Sequence, residues 1–186
     1  MKKLLAISLV ALVLAGCSAA TRYNVAVNIA SLIPEAQRSQ SFGSTTQNLV
    51  FPTSGSGGFL VPLPALEIVE GGRISGTVRL TNTGNTNFTG SYAVRMAPPG
   101  DTDISDNQGG DFSLDATSFD LAPGATQDLP INIQISPTVN ANALQLIQRQ
   151  NGFRMALRIN VNSTGGSVTL SAARVSVTAR PFAAIK

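Results

Sequence analysis

The stretch "RISGTVRLTNTGNTNFTGSYAVRM" (73–96) decides the fold class. Ile74, Gly76, Val78 and Leu80 fall on one side of its first part, and Arg73, Ser75, Thr77 and Arg79 on the other. A period of two marks a half-buried strand, because successive side chains point to opposite faces of a sheet. "TNTGNTNFTG" (81–90) then supplies the Gly and Asn that tight turns favour, and Tyr92, Val94 and Met96 resume the alternation. Strand, polar turn, strand, with no helical period between them, is the beginning of an antiparallel all-β domain.

The same rhythm runs toward the C-terminus. "APPGDTDISDNQGGD" (97–111) reads as a long polar loop. Phe119 and Leu121 lead into a turn at Pro123-Gly124, followed by an apolar stripe of Leu129, Ile131, Ile133 and Ile135. Pro130 lacks an N–H, so this strand is expected to start at an edge or to point that position outward. "NANALQLIQRQNG" (140–152) breaks the pattern: Ala143, Leu144 and Ile147 have helical spacing, with Asn140 as N-cap and Asn151-Gly152 as stop. One short helix is predicted there. Phe153, Met155, Leu157, Ile159 and Val161 then point inward, and Arg154, Ala156, Arg158 and Asn160 outward. After the hairpin loop at 162–167, Val168, Leu170 and Ala172 are even-numbered, whereas Val175, Val177 and Ala179 are odd. A one-residue slip would reverse the buried face, so a β-bulge near Ala172-Ala173 is predicted.

Toward the N-terminus the signal weakens. Phe59–Val61, punctuated by Pro52, Pro62 and Pro64, is at best an edge strand. Residues 34–58 read as mostly polar connection, with a short strand at Asn48–Phe51. Tyr23, Val25, Val27 and Ile29 restore the alternation. The expectation is a single all-β sandwich over residues 23–186, with about 7–9 mainly antiparallel strands and one short helix near 140–150.

Composition agrees. Charged residues are 12% of the 186-residue chain, against a usual ~25%. Ser, Thr, Asn and Gly make up the difference, as suits strands joined by polar turns. Met1-Lys2-Lys3 followed by the apolar run Leu4–Ala15 is the pattern of a secretory signal peptide over 1–16. The run is too short for a spanning helix, which needs roughly 20 residues. With Lys2 and Lys3 removed, ten Arg and Lys186 face ten acidic residues, a net charge of +1. No Lys/Arg cluster stands out, so nucleic acid is not an expected partner.

Leu14-Ala15-Gly16-Cys17 resembles the lipobox of bacterial lipoproteins. The resemblance implies a diacylglyceryl group on the Cys17 thiol, cleavage before Cys17 and acylation of the new amine. Cys17 is then a membrane anchor, the covalent lipid is its only attached group, and no cofactor is expected. Two or more acyl chains hold a protein stably where one does not. Ser18, where Asp would signal inner-membrane retention, implies the outer membrane, on its periplasmic or surface side. The tether 17–22 is short, since Ser18–Arg22 spans at most ~18 Å. "LTNTGN" (80–85) with "LAPGATQDLPINI" (121–133) is similar to the Ig-like modules of bacterial exported proteins. The stretch 119–180 resembles the late-embryogenesis-abundant type 2, or water-stress/hypersensitivity, sandwich. That family has an Asn-Pro-Asn turn where this chain has Asn82-Thr83-Gly84-Asn85. What these resemblances imply is an Ig-like β-sandwich, with no functional residues carried over.

Chemistry-bearing residues are sparse. The chain has no His, the commonest acid–base residue and metal ligand, and acylation consumes its one Cys. Lys186 is the only Lys outside the signal segment, and Glu35, Glu67 and Glu70 are scattered. An enzyme is not expected. Asp101, Asp103, Asp106 and Asp111, with Asn107 and Gly109-Gly110, form the one acidic concentration. Calcium takes six to eight oxygens from such groups, but the EF-hand spacing is not met, and Asp, Asn and Gly are also ordinary turn formers. Arg73, Arg79, Arg95, Arg154, Arg158, Arg174 and Arg180 lie on outward strand positions. Of these, Arg154, Arg158 and Arg174 are the candidates for meeting a partner or anionic headgroups, against the plainer reading of solvated sheet faces. The functional expectation is a lipid-anchored, non-catalytic envelope protein with a protein partner. A binding module for a small apolar ligand or lipid, and a calcium-dependent surface adhesion module, are the alternatives.

Overall fold

The computed structural model describes residues 22–52, 57–63, 68–149 and 152–180. Its strands are β1 (Tyr23–Asn28), β2 (Ser39–Phe42), β3 (Thr45–Phe51), β4 (Phe59–Pro62), β5 (Ile68–Asn82), β6 (Phe88–Ala97), β7 (Phe112–Leu121), β8 (Thr126–Ile135), β9 (Gly152–Ser163) and β10 (Gly166–Arg180). The helices are α1 (Ile29–Leu32) and α2 (Ala141–Arg149), with a 3₁₀ turn at Glu35–Gln37. The architecture is the expected all-β sandwich of two antiparallel sheets with one helix of more than a single turn.

Sheet I runs β8–β5–β10, with β1 and β2 sharing the lane beyond β10. Sheet II runs β7–β6–β9, with β3 and β4 sharing the lane beyond β9. Consecutive strands β2–β3, β5–β6, β7–β8 and β9–β10 step from one sheet to the other through short corners. Register places all four corners at one end: Gly166 pairs with Phe42 and with Asn82, Thr81 with Thr126, Thr45 with Ser163, and Phe88 with Leu121. The opposite end holds Tyr23 opposite Ala179, the 98–111 connection, α2 and Arg180.

The alternation read from the sequence becomes the core. Ile74, Val78 and Leu80 of β5 face Phe88, Val94 and Met96 of β6, and all are buried. Phe88 contacts Phe42 and Phe119 edge-on, with centroids 5.4 and 5.2 Å apart. Such pairs add about 0.5–1.5 kcal/mol each beyond area burial. α2 buries Ala143, Leu144, Leu146 and Ile147 and closes one end, with Gln148 donating to the Val69 carbonyl at 2.8 Å.

Three expectations are refined. The bulge in β10 is present: Leu170 pairs with Val78 and Ala172 with Thr77, leaving Ser171 as the extra residue, so Ala172 is exposed and Ala173 buried. Asn140 does start α2, but through its carbonyl, which accepts from the Ala143 and Leu144 amides. Its φ is 56°, and its side-chain amide turns away to donate to the Gln134 carbonyl at 2.9 Å. Asn151, the expected stop, lies outside the described residues. The segment taken as polar connection carries β2 and a β3 that begins at Thr45 rather than Asn48. These strands escaped notice because the outward residues of a two-faced edge strand are polar, and β2 is only 4 residues long.

Each outer lane is interrupted. α1 separates β1 from β2, Pro52 and its successors separate β3 from β4, Pro130 sits in β8, and β7 is kinked at Asp115, whose φ is 24°. Such breaks guard sheet edges against pairing with other chains.

The corner end is tied by buried neutral hydrogen bonds. Asn82 is 1% exposed, and its amide donates to the Thr86 and Leu121 carbonyls at 2.8 and 3.0 Å. Its side-chain oxygen accepts from the Gly84 amide at 2.9 Å. Its backbone exchanges bonds with Ala125 and Gly124 in the next corner. Thr83 and Gly84 donate to Gly165, which links the third corner. A side chain at Gly84 has no room, because its Cβ would lie 2.2 Å from the Thr164 hydroxyl.

Candidate functional site

Cys17 and the signal segment 1–16 lie outside the described residues. An ionic clamp lies at the entry to β1. Arg22 donates to one carboxylate oxygen of Glu70 at 2.6 Å, and the Arg180 guanidinium pairs with the other. The Arg22 hydrogen bond, with the charges of both arginines, holds the Glu70 carboxyl below its ordinary value despite some loss of solvation. The clamp joins the entry to β1, the start of β5 and the end of β10 at the end opposite the corners. The separate positions of Arg22, Glu70 and Arg180 in the sequence give no sign of it.

The 97–111 segment is not the freely solvated loop its composition suggests. It folds back over the outer face of sheet II. Ile104 is fully buried there against Ala97 and Ala156, with Val50 packed alongside. Ala156 is therefore outward-facing and buried at once. Arg95, read as a solvated outward arginine, is 4% exposed under the loop. It donates to the Ile104 carbonyl, the Asn107 amide oxygen, the Ser113 hydroxyl and the Asp111 carboxylate, the last at 2.5 Å. A buried charge is tolerable only when paired and hydrogen-bonded, and this guanidinium is both. The sequence signal was a single Ile in a polar loop opposite an Arg beside small outward residues.

The four aspartates do not converge. Asp101 accepts from the Asp103 amide at 2.9 Å, Asp103 from the Ser105 amide and hydroxyl, and Asp106 from the Gln108 amide at 2.8 Å. These are Asx turns, each closing its own bend. The Ser105 bonds also hold the Asp103 carboxyl below its ordinary value. Asp111 is committed to Arg95. Among the described residues, no three His, Cys, Asp or Glu side chains are grouped to hold a metal ion.

The three candidate interaction arginines have different fates. Arg154 is half-buried and spent on the chain itself, donating to the Pro99 and Gly57 carbonyls at 2.9 Å each. It ties the segments at Gly57 and Pro99 to β9. Arg158, also half-buried, stands on the outer face of sheet II between Val50 and Ala93 of the neighbouring strands. Arg174 is exposed on sheet I, between Asn28 and Ser75. Neither Arg158 nor Arg174 has an ion pair among the described residues. Arg73 donates to the neutral Asn132 at 2.8 Å, and Arg79 makes two bonds to Asp128, whose carboxyl it holds below the ordinary value.

Two shallow open grooves mark the outer face of sheet I. One, of about 570 Å³, lies along Gly71, Gly72, Arg73, Asn132 and Ser176. The other, of about 650 Å³, lies along Ala26, Ser75, Thr77, Ala172 and Arg174 at the bulge. Between the sheets, the apolar cavity lined by Ile29, Phe51, Phe59 and Val94 amounts to about 20 Å³, the room of one water at most.

No protein-family model matches the chain, and no curated protein matches it. Among solved structures, the chain is similar to one from the infectious bursal disease virus Gt strain, with a TM-score of 0.47, 10% identity, and coverage of 87% of this chain and 33% of that one. It is also similar to the VP2 subviral particle of infectious bursal disease virus, with a TM-score of 0.44, 10% identity, and coverage of 88% and 38%. The chain thus spans little more than a third of the length of these structures.

Proposed function

We propose that this chain is a lipid-anchored, non-catalytic protein of the bacterial cell envelope that serves as a structural or assembly module. The observation that carries the reading is Leu14-Ala15-Gly16-Cys17 behind a basic start and a short apolar run, six residues before a folded strand at Tyr23. Acyl chains on Cys17 would place the Arg22–Glu70–Arg180 end next to the lipid, and Ser18 favours the outer membrane. The non-catalytic reading is supported by how the carboxylates and arginines are used: most of those described close turns, clamp strands or hold loops. The solid interior supports assembly over the binding of an apolar ligand or lipid between the sheets. The separated aspartates give no support to a calcium-dependent adhesion site.

The test is incorporation of labelled fatty acid in a two-membrane bacterium, followed by membrane fractionation. The wild-type chain is expected to carry label and sediment with outer membrane. Cys17→Ser is expected to lose the label. A wild-type chain that is unlabelled and soluble overturns the proposal. Crosslinking in intact cells then reads the assembly role, and recovery of no crosslinked protein overturns that part.

A further inference from the structure

The two outer faces of the sandwich carry opposite charge. On sheet I, Arg22, Arg73, Arg79, Arg174 and Arg180 stand against Glu70 and Asp128, five cations to two anions and a net of +3. Arg174 has no ion pair among the described residues, and Arg73 meets only a neutral amide. Over sheet II, Arg95, Arg154 and Arg158 stand against Asp101, Asp103, Asp106, Asp111 and Asp120, three cations to five anions and a net of −2. Asp101, Asp103 and Asp106 hydrogen-bond within their own loop, and none of them forms an ion pair among the described residues.

Shape follows the same division. Ile104 anchors the acidic loop as a ridge on sheet II, in the half of the molecule away from the corners. The grooves beside Arg73 and Arg174 lie in the corresponding half and the middle of sheet I. An acidic ridge and grooves with Arg73 and Arg174 therefore sit at similar heights on opposite faces of one molecule, the Glu70 carboxylate that also lines the first groove being paired with Arg22 and Arg180.

We propose that the occupant of the sheet I face is a second copy of this chain, which docks its 98–111 ridge and sheet II face there. Because the two patches are different, the contact is head-to-tail, and each copy keeps one free face of each sign. Four strand lanes of about ten residues make a face of roughly 600 Å², which places the contact in the weak, transient class. Electrostatics then sets its specificity and its sensitivity to salt. The stacking itself is independent of acylation. Only its direction, along the membrane plane with every Tyr23 end facing the lipid, rests on the anchor reading above.

Sedimentation velocity on the full chain as cells make it, in detergent when it is acylated, tests this across concentrations up to about 1 mM. At about 20 mM salt the weight-average mass is expected to climb beyond a dimer, and at about 500 mM salt to return to monomer. Arg73→Glu/Arg174→Glu makes both faces acidic, and Asp106→Lys/Asp120→Lys makes both faces basic. Each variant alone is expected to lose self-affinity by at least ~10-fold, about 1.4 kcal/mol. Mixing the two variants is expected to restore association, because each then supplies the face the other lacks. All four positions are exposed or half-exposed, and an unchanged melting temperature checks folding. A monomer at every concentration in low salt overturns the proposal. So do a plateau at dimer, a failure of the mixture to recover, or crosslinks in membranes to another protein only.

Discussion

The two ends of the sandwich are held by different forces. At the corner end, Asn82, Gly84, Thr164 and Gly165 interlock three turns through neutral hydrogen bonds, with Asn82 almost fully buried. At the opposite end, Arg22, Glu70 and Arg180 form an ionic clamp, and Arg95 with Asp111 holds the long loop down. Neutral buried bonds are indifferent to pH and salt, whereas the clamp, unlike the buried Arg95–Asp111 pair, is open to solvent and so is screened and titrates. One end is built for permanence and the other answers to its surroundings, a difference that three measurements probe.

Asn82→Ala carries the largest expected effect. It strands the Thr86 and Leu121 carbonyls, while the Gly84 amide keeps its bond to Gly165, and a buried unsatisfied group costs about 1–3 kcal/mol. A global loss of about 3 kcal/mol is expected, which thermal unfolding reads as a fall of roughly 6–12 °C. A loss confined to a few corner amides would mean that this end does not govern the whole sandwich.

Arg95→Met comes next. Breaking a buried pair costs roughly 3–5 kcal/mol when the remaining charge stays buried. Here Asp111 can regain water if the loop lifts, so the global loss is expected to stop at about 2 kcal/mol. Hydrogen exchange is expected to speed up across 98–111 while the Asn82 corner keeps its protection. Equal loosening of both ends would remove the distinction between them.

The smallest effect concerns acid. The Glu70 carboxyl titrates below its ordinary value in the folded chain, so its contribution is complete above about pH 4.3, the unfolded value, and is lost as pH falls below that. Exchange protection at the start of β1 and the end of β10 is expected to decline through that range, with little change at Asn82. Glu70→Gln is expected to abolish this local pH dependence. An identical acid response in that variant would assign it to other carboxylates.

Legibility in the sequence followed the number of buried faces. Strands β5, β6 and β8–β10 each place a regular apolar stripe in the core, and their period of two was plain. The bulge at Ser171 was legible because a slip in the ladder must shift the parity of everything after it. α2 was legible from its Leu/Ile spacing. β2 and most of β3 were not, since short outer-lane strands offer few inward residues among Ser, Thr and Gln. The 98–111 loop misled for a related reason. Its fold depends on one Ile and on an Arg in a different strand, and composition cannot report a pairing across 16 residues between Arg95 and Asp111. Of the candidate site residues, Arg154 makes carbonyl bonds that were illegible for the same cause, because its partners belong to segments far away in the chain.

One feature of the topology bears on how the molecule comes into being. β1 pairs with β10 alone, and Asn24 meets Thr178 across 154 residues of sequence. β5 likewise finds β10 on one side, and the corners join strands of opposite sheets rather than ladder neighbours. Three ladders, β1–β10, β2–β10 and β5–β10, wait for β10, and folds dominated by distant pairings assemble slowly, in milliseconds to seconds. A chain that emerges N-terminus first must carry β1 and β2 unpaired until β10 is free. Sheet I is therefore completed in a late step, after sheet II has all of its strands in hand.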